Sequence, residues 1–130
     1  MNEYFKWTVY HLQNFFAFIF GQSDGMLKAL VAVVVLDYIT GVCVAISRHS
    51  LSSKVGARGI MRKLTIFALI ALSHIMDEYL LGSSNVLRTV ATAFYLSNEC
   101  ISIFENAGEL GLPLPEKLKN ILKYFDKYSD

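Results

Sequence analysis

The segment from Val86 to Asn106, VLRTVATAFYLSNECISIFEN, is apolar enough to enter a bilayer and too polar to rest there alone. At about 100° per residue, Asn98, Glu99, Ser102, Glu105 and Asn106 fall within an arc of roughly 120° on an α-helix. Arg88, Ala91 and Tyr95 carry the same stripe back toward the start of the segment. The opposite side holds Val86, Val90, Phe94, Ile101 and Phe104, all suited to lipid. A carboxylate facing acyl chains is expensive, so the stripe demands protein partners or water.

The rest of the composition agrees with a membrane setting. Of 130 residues, 54% are apolar, 13% aromatic and only 18% charged, which is unlike an ordinary soluble domain. The formal net charge of +1 gives no global basic field, so no nucleic-acid partner is expected. Cys43 and Cys100 each lie inside an apolar run, without pairing pattern or metal spacing, and read as small buried apolar residues. The N-terminus carries Glu3 and Lys6 rather than a basic cluster, so no secretory signal is expected.

Taken in order, residues 1–24 predict an N-terminal amphipathic helix. Phe5, Val9, Leu12, Phe16 and Ile19 keep helical spacing, and Trp7 with the phenylalanines from Phe15 to Phe20 suits the membrane surface. A full span is the alternative. Gly21 to Gly25 is a turn. Residues 25–106 form a transmembrane bundle with spans expected at about 26–46, 64–81 and 86–104. Asp37 lies near the middle of the first span, with Gly41 and Ala45 following on one face and Thr40 bordering it, a surface where two backbones can approach closely.

Between the first two spans, residues 47–63 carry Arg48, Lys54, Arg58, Arg62 and Lys63 and no acid. This basic loop is expected in the cytoplasm by the positive-inside rule. Its charges either set topology alone or, with Gly56 and Gly59, form a small nest for lipid headgroup phosphates. Ser73, His74, Asp77 and Glu78 invite a metal reading, but without a second histidine they fit a polar helix end better, and no metal is expected. Residues 107–130 predict a cytoplasmic amphipathic helix opened by Pro115, with an apolar stripe of Leu118, Ile121, Leu122 and Phe125.

The fold class expected is therefore an all-α integral membrane protein: three transmembrane helices plus N-terminal and C-terminal amphipathic helices. Asp37, Glu99 and Glu105 sit at membrane depth without evident basic partners in one chain, since Lys28 and Arg88 lie near the outer ends. Copies that gather their stripes around a shared core would shelter them, so a homo-oligomer is expected.

Two blocks of sequence resemble a known family. LDYITGVCVAI (Leu36 to Ile46) followed by LSSKVGARGIMRK (Leu51 to Lys63), and then ECISIFENAGELGLPLPEKL (Glu99 to Leu118), are similar to the toxin secretion/phage lysis holin family. The resemblance runs from about Met26 to Phe125. It implies a small protein of the bacterial cytoplasmic membrane that oligomerises and opens a lesion for an endolysin or a secreted toxin. It carries over Asp37, Gly41, Lys54, Gly59, Lys63, Glu99, Ser102, Asn106, Gly111, Pro113 and Pro115 as structural or assembly positions, none of them catalytic.

The expected function is thus a non-enzymatic holin without cofactors, acting in the lipid bilayer. Asp37, Thr40, Gly41, Ala45, Tyr95, Asn98, Glu99, Ser102, Glu105 and Asn106 are its expected pore or assembly residues. A small oligomeric ion channel or transporter using the buried carboxylates is the alternative. No nucleophile–base pair or phosphate loop points to an enzyme.

Overall fold

The computed structural model of the chain describes residues 2–128, with side chains as far as Tyr124. The described residues form five helices and no strand: α1 (Glu3–Phe20), α2 (Gly25–Ser47), α3 (Ser53–Tyr79), α4 (Val86–Glu109) and α5 (Glu116–Tyr128). α2 and α3 are long and apolar enough to cross a membrane. α4 has the length, at 24 residues, but Arg88, Glu99, Glu105 and Glu109 dilute its apolar character.

Each helix end has a local cause. Asp24 caps α2, its carboxylate accepting from Leu27 N at 2.8 Å. Ser52 caps α3 in the same way, accepting from Val55 N at 3.2 Å. Asn85 precedes α4 without a side-chain cap bond. Its place is taken by Asp77 near the end of α3, which accepts from Leu87 N at 3.1 Å and Arg88 N at 2.8 Å. α4 ends where Gly111 turns at φ 89°, a left-handed conformation that favours glycine.

The Ser52 cap corrects the reading of residues 47–63 as a loop. Only residues 48–52 connect the helices, and α3 runs 27 residues from Ser53, about 40 Å. Gly56 and Gly59 are helical and face Tyr38 of α2, whose ring atoms would lie 3.3 Å from a Cβ at Gly59. They make room for an aromatic ring, not a phosphate nest. α3 ends at Tyr79, so Leu80 and Leu81 belong to the turn rather than the expected span. Pro115 stands one residue before α5, its carbonyl accepting from Lys119 N at 3.1 Å. In α5, Leu118 and Leu122 are half-buried and Ile121 is exposed; the side chains of Phe125 and Lys127 lie outside the described residues.

α4 packs along α2 for most of its length and also along α3, while α1 meets α3. The apolar core is small: Leu30, Val34 and Ile70, lined by residues such as Phe67, Tyr95 and Leu96. Outside it, large apolar side chains point away from the bundle, among them Val31, Val35, Leu36 and Ile39 on α2 and Leu64, Leu69 and Leu72 on α3. A thin core under an apolar exterior is the reverse of a water-soluble bundle, and hydrocarbon is the solvent that matches it. Cys43 belongs to that exterior, which corrects its expected burial; Cys100 is half-buried, and both are free thiols.

Candidate functional site

The polar residues of the bundle occupy two layers. The first lies where three helices carry an ionisable group at the same depth. Asp37 is ten residues before Ser47, Lys63 ten after Ser53, and Glu99 ten before Glu109, each about 15 Å from the same end of the bundle. The Lys63 ammonium donates to both Asp37 Oδ2 and Glu99 Oε2. Asn106 Nδ2, two turns further along α4, donates to Asp37 Oδ1 at 3.1 Å and Thr40 Oγ1 at 2.9 Å. The carboxylate side chains keep 7–8% exposure, and that of Lys63 19%.

This arrangement corrects two expectations. The acids do have a basic partner within one chain, and Lys63 is not a headgroup or topology residue but the centre of a buried ion triad. The clue was its helical phase. Lys54, Arg58 and Arg62 repeat every four residues on the exposed face of α3. Lys63 falls on a different line with Val55 and Gly59, and that line borders a cleft of about 220 Å³ between α2, α3 and α4. Shelter for Asp37 and Glu99 therefore no longer requires a second copy. Gly41 likewise meets a residue of its own chain, since a Cβ there would lie 3.8 Å from Asn106 Nδ2, while Ala45 lines the same cleft.

The expected stripe of α4 is split. Arg88, Thr92 and Glu99 are buried, so the edge of the arc bearing Glu99 and Asn106 faces the subunit's own interior. Tyr95, Ser102 and Glu105 are half-buried, and Asn98 at the other edge is exposed. Arg48 pairs with Glu109 at 2.7 Å at the basic end of the bundle.

The second layer closes the opposite end. Arg88 Nε donates to Phe20 O at 2.6 Å, one terminal nitrogen to Gln22 O at 2.9 Å, and the other to Asp24 Oδ2 at 2.7 Å. A cation thus satisfies the carbonyls at the end of α1 and holds it to α4. The Asp24 carboxyl lies below its ordinary value, first because of the Leu27 N–H and then because of the Arg88 guanidinium. Gly21 bends at φ 77° between these groups, and a Cβ there would lie 2.9 Å from His74 Nδ1. Asp77 is engaged as the cap of α4, and Glu78 accepts from Ser83 Oγ at 3.1 Å. No cluster able to hold a metal occurs among the described residues.

The bundle therefore holds two sets of paired charges beneath an apolar exterior. The model of the bacteriophage holin family matches residues 14–127. The chain belongs to the bacteriophage holin family. Among relatives of this holin-family chain, an uncharacterised Listeria monocytogenes protein is 39% identical over 129 residues, covering 99% of this chain and 91% of its own. An uncharacterised 14.9 kDa protein of Clostridium perfringens is 40% identical over 121 residues, 93% of this chain and 92% of its own. A protein of Bacillus phage phi105 named a probable holin is 28% identical over 114 residues, 88% of this chain and 83% of its own. No solved structure matches this holin-family chain.

Proposed function

We propose that the protein is a holin in the strict sense: it accumulates in the bacterial cytoplasmic membrane, self-associates, and opens a lesion that releases an endolysin or a toxin. α2, α3 and α4 span the bilayer, α1 lies at the outer surface, and the basic end with α5 is cytoplasmic. Lys54, Arg58 and Arg62 lie along the first turns of α3, which extends about 10 Å beyond a hydrocarbon core of about 30 Å. There they reach headgroup phosphates and set the topology.

The observation that carries the reading is the Asp37–Lys63–Glu99 triad within a bundle of the holin family. Closed, the Lys63 ammonium holds both carboxylates and the Asn106 amide donates to Asp37, so a single subunit shelters the acids by itself. Parting α3 from α2 and α4 would strand them in hydrocarbon, but water solvates them readily. The same groups, with Thr40, Ser102 and Asn106, then line the water-filled edge of a lesion built from several copies. The triad thus opposes opening until enough subunits gather to admit water together.

The test is inducible expression in bacteria while a small dye and a large cytoplasmic enzyme are followed in the medium. A holin releases both, abruptly and after a delay. The buried carboxylates favour one rival, a small ion channel or transporter, which would pass ions or dye and retain the enzyme.

A further inference from the structure

We propose that α4 carries a self-association seam centred on Asn98, where it meets the same helix of a second copy. The inference deepens the holin reading, on which it rests, by naming the surface through which subunits gather. Asn98 is the thirteenth residue of a 24-residue helix and adjoins Glu99 of the triad, which places it at mid-depth of the bundle. Its side chain is exposed and makes no hydrogen bond to any described residue. An unbonded carboxamide facing acyl chains is costly, and a polar side chain on another helix relieves that cost directly.

The neighbours of Asn98 say which helix. Phe94, Asn98 and Ile101 follow one another at steps of four and three residues, the spacing of a left-handed helix-pairing seam. Phe94 is 58% exposed on this flank. Phe94 and Ile101 give the packing, while Asn98 occupies a core position where one polar residue fixes register. Copies inserted with one topology run parallel, so a two-fold axis brings each residue opposite itself at equal depth. An amide is its own complement, since each donates its N–H to the carbonyl of the other. The triad faces away from this seam, so pairing leaves Lys63 and its acids enclosed.

The test uses the full chain with Cys43 and Cys100 replaced by alanine and a single cysteine introduced at Phe94, which leaves Asn98 in place, or, as a lipid-facing control, at Val35, which is 52% exposed on α2. Oxidation in the membrane with copper phenanthroline is expected to cross-link F94C to dimers at least tenfold faster than V35C. In a native-cysteine background, energy transfer between labelled copies diluted with lipid should show N98A shifting association about tenfold toward monomer, with N98Q close to wild type. Equal cross-linking at both positions, or unchanged association of N98A, overturns the seam. Enzyme release by a protein that fails the cross-linking test would sink the seam and leave the holin reading intact. Rapid F94C cross-linking in cells that never release enzyme would do the opposite.

Discussion

Lys63 and Glu99, 36 residues apart in the chain, meet on the inward faces of α3 and α4, and the same ammonium holds Asp37 of α2. One side chain thereby ties three helices together. A buried charge network of this kind is worth little compared with apolar packing, yet removal of one partner is severe.

Lys63→Met leaves two buried carboxylates facing each other. The expected cost is about 3–5 kcal/mol, seen as early loss of helical signal on heating in detergent and rapid proteolysis between α2 and α3. The triple variant Asp37→Asn, Lys63→Met, Glu99→Gln removes every charge and should recover most of that stability. Its lesion, no longer opposed by a charged latch, should open earlier in induced cells than that of the wild type.

Arg88→Ala removes three hydrogen bonds that join the end of α1 and the following turn to α4. The loss should be about 3 kcal/mol, concentrated at one end. α1 should become sensitive to protease while α2 to α4 stay protected, which a fragment pattern on a gel resolves.

Gly21→Ala forces a Cβ onto a backbone at φ 77° and 2.9 Å from His74 Nδ1. A destabilisation of about 1–2 kcal/mol is expected. Gly25→Ala, where a Cβ meets nothing within 4 Å, should be close to neutral in the same thermal melt.

Acid should loosen the Arg88 end first. The folded protein holds the Asp24 carboxyl below its ordinary value of 3.8, so its contribution is complete above that pH and fades as pH falls through the lower folded value. Protease cleavage of the turn between α1 and α2 should therefore rise below about pH 4. Asp24→Asn keeps a capping oxygen and loses the charge opposite Arg88, so its cleavage should be greater near neutrality and much less dependent on acid.

Much of this was legible in the sequence because it is local. α2 differs from its expected span by one residue at each end, since apolar length and the Asp24 cap are both written in consecutive residues. The polar stripe of α4 was visible from helical phase alone. What composition concealed was the partner of each group. Lys63 sits next to Arg62 at the end of a run without acids and looks like one more topology charge, whereas its contacts lie 26 and 36 residues away. The same holds for Arg88, whose acid is 64 residues distant. Helical phase separates Lys63 from Lys54, Arg58 and Arg62 but does not name its distant partners, and that gap made self-association look obligatory for burying the acids. The first turns of α3 were hidden for another reason: positive charge suggested a loop, although lysine, arginine and alanine are good helix formers once Ser52 supplies a cap.

In the proposed mechanism the closed bundle keeps its polar interior dry and the lesion wets it. Thr92 is fully buried and lies on the same line of α4 as Glu99 and Asn106. A single cysteine at this position, with Cys43 and Cys100 replaced, can be challenged with a water-soluble thiol reagent in cells permeabilised so that both membrane faces are reached. A bundle that is dry when closed should show no labelling before the lytic moment and rapid labelling once a cytoplasmic enzyme escapes. Equal labelling before and after escape, whether high or absent, would contradict that mechanism.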